Sequence, residues 1–220
     1  MPLQLPPPVT RALLIACTVS LFLAQIPSVA LLMGQWLVLH PALAGFWPWQ
    51  LVTFPIVNGD VFNWLFSMIM IYYFGTELEG IWGERRFIQF LLACTLTAAA
   101  VYLLLTLLPP LLGLALPAAV MFDTSPITMG LLVAVAILFP QRTIRVYFVV
   151  EVTQRVAAWV GIGIIVFLAL GRFSNGSGAW APSLAILGGA LGGYLMILYW
   201  RWRPPSFKRK KPPSHIRRVH

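Results

Sequence analysis

Six apolar runs dominate this sequence, at residues 11–33, 61–79, 87–109, 125–140, 154–171 and 179–200. A bilayer crossing takes about 20 mostly apolar residues, and each run comes near that length. In lipid every backbone N–H and C=O must be satisfied within the protein, so runs of this kind read as helices. The prediction is an all-α, polytopic membrane protein with six transmembrane helices. The fourth and fifth runs are the shortest and suit helices buried inside the bundle. The first is too long for the apolar stretch of a cleaved signal and is read as a membrane helix. Only 10% of residues are charged and mean hydropathy is +0.85, whereas soluble domains carry about 25% charged residues. A chain of this composition cannot cover a water-facing surface.

The net charge of +9 is unevenly placed. Residues 201–220 hold eight of the fifteen Lys and Arg and no acid. Three units follow: a short N-terminus (1–10), a membrane domain (11–200) and a basic tail (201–220). Bases also mark one set of loops, through Arg11, Arg85, Arg86, Arg142, Arg145 and Arg155, while the opposite set (34–60, 110–124 and 172–178) holds only Arg172. Basic loops stay in the cytoplasm, so both termini are expected there. The tail, with two Pro-Pro pairs, is not expected to be helical. It reads as a topology signal, or as a segment that docks on an anionic leaflet at about 1 kcal/mol per base. Trp36, Trp47 and Trp49, with Phe46 and Phe54, make the 34–60 loop an interfacial one. Cys17 and Cys94 lie in apolar runs and read as buried hydrophobes. Three histidines with no CxxC or HExxH call for no metal and no cofactor. The bases form no stripe interleaved with aromatics, so nucleic acid is not an expected partner.

Several short pieces make sense together. They are Trp47-Pro48-Trp49-Gln50-Leu51-Val52-Thr53-Phe54, Phe66-Ser67-Met68, Phe74-Gly75-Thr76-Glu77-Leu78-Glu79 and Ile81-Trp82-Gly83-Glu84-Arg85-Arg86-Phe87. This series resembles the first half of the rhomboid core, the family of intramembrane serine proteases. The resemblance implies a six-helix bundle with an interfacial first loop. It also implies a nucleophilic serine opening the fourth helix, a histidine base on the sixth, and an H-x-x-x-N pair on the second that helps bind the oxyanion. The chemistry is general: a serine hydroxyl is a poor nucleophile until a base takes its proton, and the oxyanion needs preorganised donors.

Carried over residue by residue, the pattern is incomplete. The H-x-x-x-N pair falls on Asn63 and Ser67, four apart on one helical face but chemically degenerate; both also read as polar groups satisfied by a neighbouring helix. The serine motif falls on Asp123-Thr124-Ser125-Pro126, with Gly130 behind it. Ser125 survives without its flanking glycines, and Ser before Pro is equally a helix N-cap. Asp123 suits a helix start but would repel an oxyanion. The histidine position, three residues before Gly189, is Ile186. Residues 179–200 contain no histidine; His40 lies in the first loop, and His215 and His220 in the tail.

Other positions read as structural. Gly188, Gly189, Gly192 and Gly193 form a small-residue stripe for close helix packing. Glu79 matches a family glutamate that braces one end of the fold. Trp49-Gln50 replaces the family's Trp-Arg. Two functions remain from the sequence. One is a rhomboid-like pseudoprotease that binds other transmembrane segments or serves as an accessory subunit of a membrane complex. The other is an intramembrane serine protease using Ser125 with a non-standard base. A transporter or channel is disfavoured, because no embedded charge pair or broken-helix pair is evident. Uncleaved insertion and a basic cytoplasmic tail suggest a bacterial inner membrane.

Overall fold

The computed structural model describes residues 5–41, 46–113, 117, 119–141, 143–146, 150–176 and 178–202. Each apolar run falls on helix. The first run is split into α1 (Pro8–Leu23) and α2 (Pro27–Trp36), which corrects the single helix expected there. The break has a local cause: a proline disfavours helical backbone in the residue before it, and Ile26 is extended, with φ −90° and ψ 114°.

In the first loop, a short α3 (Gln50–Thr53) runs into a 3₁₀ turn at Phe54–Ile56. The second run is α4 (Val61–Met70), a π-turn at Ile71–Gly75 and α5 (Thr76–Trp82). Then come α6 (Glu84–Leu111) and α7 (Ser125–Leu138). A two-stranded hairpin follows, β1 (Thr143–Val146) antiparallel to β2 (Val150–Thr153) with Thr143 opposite Thr153. The remaining helices are α8 (Gln154–Ser174) and α9 (Trp180–Trp202). Among the described residues, the hairpin and an isolated bridge between Leu39 and Met121 depart from an otherwise helical architecture. The hairpin sequence, TIRV paired with VEVT, is rich in the β-branched residues that favour strands.

Among the described residues, α6, α8 and α9 are each long and apolar enough to cross a membrane. A fourth span is available if Gln50–Ile56 and Val61–Trp82, bent by 98°, act as one. At 16 and 14 residues, α1 and α7 are shorter; 14 residues rise only about 21 Å, against a hydrocarbon core of about 30 Å. Among the described residues, length and composition thus support three or four crossings and do not confirm the six expected.

The core is organised around α9, which lies against both α6 and α7 on two glycine rows. A Cβ on Gly188 would lie 2.8 Å from Ala98 Cα, and one on Gly192 would lie 2.6 Å from Ala93 O, both on α6. Gly189 and Gly193 instead face Pro126 and Gly130 of α7. Phe74, Leu78, Phe87, Phe90, Cys94 and Leu131 fill one end of the interior, and Leu39, Phe54, Tyr102 and Trp180 the other. Cys17 and Cys94 are free and buried.

Candidate functional site

The start of α7 is held by the residues just before it. Thr124 is fully buried; its hydroxyl donates to Pro55 O at 2.8 Å and lies 3.0 Å from Asn58 Oδ1, tying the helix to the first loop. Asp123 has φ 120°, a conformation that L side chains rarely adopt and glycine adopts freely. The position aligned with the first glycine of the serine motif thus keeps a glycine-like backbone without the glycine. The Asp123 carboxylate accepts the Ser125 N–H at 2.7 Å. The expectation that Ser125 caps the helix is therefore corrected. Ser125 is the first helical residue, and Asp123 satisfies its N–H in the manner of an acidic cap. The Ser125 hydroxyl lies 3.5 Å from Asn63 Oδ1 and also hydrogen-bonds to the Asp123 carboxyl.

Three of the four positions carried over from the rhomboid pattern meet at one place. Ser125, Asn63 and Ile186 all line a cavity of about 1,030 Å³ bounded by α4, α7, α8 and α9. Ile186 stands on its wall where a base would be required. Ser67 is not among the lining residues; it is buried, and its hydroxyl has no hydrogen-bond partner. The cavity also holds polar groups to which the sequence assigned no role. Arg172, near the end of α8, donates from Nη1 to Ser183 Oγ on α9 and acts electrostatically on Asp123. Arg172 was visible as the lone base of its set of loops. Its meeting with Asp123 across the bundle needed the fold.

The Asp123 carboxyl, outside the spanning helices, is pushed up to about 6 by burial, which outweighs the backbone and side-chain hydrogen bonds from Ser125 and the charge of Arg172. Its folded pKa lies above the usual carboxylate value of about 3.9. Ionisation therefore costs stability as pH rises through that interval, and the cost is absent when the group is protonated in both states. Asp123→Asn, which keeps a capping oxygen and tolerates the backbone, should stay near wild-type stability and flatten its dependence between pH 4 and pH 7. Asp123→Val should lose about 1–3 kcal/mol to backbone strain. Thermal unfolding in mild detergent across that range checks both.

The remaining sequence candidates lie away from the cavity. Trp49 Nε1 donates to Trp36 O at 3.0 Å, and Trp36, Trp47 and Trp49 stack with near-parallel rings whose centroids lie 5.3–6.2 Å apart. The Glu79 carboxylate is buried and accepts from Val9 N, Thr10 N and Thr10 Oγ1 at the start of α1. His40 lines a separate cavity of about 370 Å³, its Nε2 2.9 Å from Gly34 O. His215, His220 and the basic tail from 203 onward lie outside the described residues. No three His, Cys, Asp or Glu among the described residues come together as a metal site.

The family described as "Eukaryotic integral membrane protein (DUF1751)" matches residues 11–205. Rhomboid-like protein 19 of Arabidopsis thaliana is 27% identical over 186 residues, covering 80% of this chain and 57% of that protein. The chain thus spans less than two thirds of that relative's length. The eukaryotic family overturns the bacterial inner membrane expected from the sequence; a basic, uncleaved topology is not specific to bacteria, because the same charge rule orients membrane proteins generally.

Proposed function

The chain belongs to the DUF1751 family of eukaryotic integral membrane proteins and is rhomboid-like, and on that premise we propose that it is a pseudoprotease. It keeps the helical frame to bind the transmembrane segments of other proteins, or to join a membrane complex, and does not cut them. The observation that carries this is Ile186 on the same cavity wall as Ser125. An aliphatic side chain cannot take the serine proton, and the nearby Asp123 carboxylate opposes the charge that an oxyanion would develop.

The binding half of the reading rests on α8. This helix presents Trp159 at 68% and Leu170 at 63% exposure, apolar groups that in a bilayer face either lipid or another helix. The charge distribution further supports a cytoplasmic position for both termini, with the basic tail against the anionic leaflet or a partner.

The competing reading, hydrolysis through Ser125 with Asp123 as base, draws on the hydrogen bond between the Ser125 hydroxyl and the Asp123 carboxyl. One assay decides. The protein reconstituted in vesicles should not react with a fluorophosphonate probe at Ser125, and labelling that disappears in Ser125→Ala would overturn the pseudoprotease. In the same vesicles, a photo-crosslinker replacing Trp159 should capture a model transmembrane peptide. Capture no better than from a crosslinker placed at Arg85 would remove the binding half.

A further inference from the structure

The cavity beside Ser125 is long and has two chemically different ends. Its lining runs along α8 from Val156 to Arg172, a rise of about 24 Å at 1.5 Å per residue. One lipid leaflet contributes about 15 Å of hydrocarbon, half of the roughly 30 Å core, so the slot has room for a chain and a head. Its volume of about 1,030 Å³ is that of a large small-molecule site. The deep part is apolar. Val160 and Ile164 line it from α8 and stay 53% and 54% exposed, leaving apolar surface that an acyl chain can pack against. Arg172, Asp123, Asn63 and Asp60 also line the cavity, one guanidinium with two carboxylates and an amide. Arg172 acts electrostatically on Asp123, and Asn63 Oδ1 faces the Ser125 hydroxyl. The Asp60 oxygens accept from Phe62 N and Asn63 N while keeping lone pairs for a further donor.

From this arrangement we propose that the cavity is a lipid site, holding one zwitterionic glycerophospholipid whose head carries a primary ammonium. Charge complementarity selects the head. A guanidinium grips a phosphate through paired N–H donors, while Asp123, Asp60 and Asn63 Oδ1 are acceptors for the ammonium. A quaternary choline head keeps the charge but has no N–H to give them, and a purely anionic head meets two carboxylates. An acyl chain then lies along Val160 and Ile164. The site faces inward from α8, away from Trp159 and Leu170, so it does not depend on the pseudoprotease reading. Failure of the probe and crosslinking assays would leave it standing.

The test is native mass spectrometry of the full chain, reconstituted in vesicles with equal parts phosphatidylethanolamine, phosphatidylcholine and phosphatidylglycerol of matched chains, then released in mild detergent. One phosphatidylethanolamine should remain per chain. Ile164→Trp and, as a second filling variant, Val160→Phe should lose it. Arg172→Gln and Asp123→Asn should lower its retention by about tenfold, as expected from losing one charge-assisted bond. Equal retention of the three lipids, retention unchanged in both filling variants, or a peptide held in place of lipid would each overturn the proposal.

Discussion

Gly189→Ala should prevent the wild-type bundle from assembling, although it adds one methyl group. A Cβ at that position would lie 2.1 Å from Pro126 O and 2.6 Å from Pro126 C. Both are backbone atoms in the first turn of α7, so no side-chain rotation relieves the clash. Either α9 withdraws from α7 or the start of α7 moves, and the second course displaces Ser125 as well. Overpacking commonly costs about 1–3 kcal/mol, and a clash of backbone against backbone belongs at or beyond the top of that range. Gly163 on α8 is the internal control, since a Cβ there meets nothing within 4 Å. Gly163→Ala should be neutral, or stabilising by up to about 1 kcal/mol through helix propensity. Thermal unfolding followed by size-exclusion chromatography in mild detergent compares the two. Equal melting of Gly189→Ala and wild type would refute the close approach of α7 and α9.

The same glycines show where sequence reading stops. Their spacing predicts close packing, and α9 does pack closely, but one stripe proves to be two rows with different partners. Gly188 and Gly192 meet α6, and Gly189 and Gly193 meet α7. Which helix a small residue meets depends on tertiary placement, and apolar neighbours look alike along the chain. The split of the first run was legible at Pro27, whereas run length alone concealed it. Spacing brought Asn63, Ser125 and Ile186 to one cavity because helix geometry carries position over short distances. It failed for Ser67, since residues four apart are offset by about 40° on a 3.6-residue helix, enough to turn one toward the cavity and the next into the core. Arg172 and Ser183 escaped for another reason. They sit on different helices, eleven residues apart, and nothing local marks their contact.

Removing Glu79 should release α1 from the rest of the bundle. This helix begins with no cap of its own: Pro7 provides no side-chain bond, and its first turn contains no acid. Glu79, 70 residues away on α5, supplies both. Its carboxylate accepts Val9 N at 2.9 Å, and Thr10 N and Thr10 Oγ1 at 2.7 Å each. It also sets negative charge against the positive end of the helix dipole. Glu79→Ala leaves three donors unsatisfied at a buried site, each worth about 1–3 kcal/mol, so the loss should reach about 3 kcal/mol or more. Glu79→Gln keeps one oxygen but turns an amide N–H₂ toward donors, and should fall between alanine and wild type. Thr10→Val removes one bond and should cost least, about 1 kcal/mol. The two buried thiols separate release of α1 from general unfolding. Cys17 lies on α1 and Cys94 on α6, and both are inaccessible in the folded chain. In Glu79→Ala, a membrane-permeant maleimide should label Cys17 early while Cys94 remains protected by α7 and α9. Simultaneous labelling of both thiols would mean that Glu79 supports the whole bundle. Protection of both, with unchanged melting, would mean that α1 is held by its apolar contacts and the carboxylate adds little.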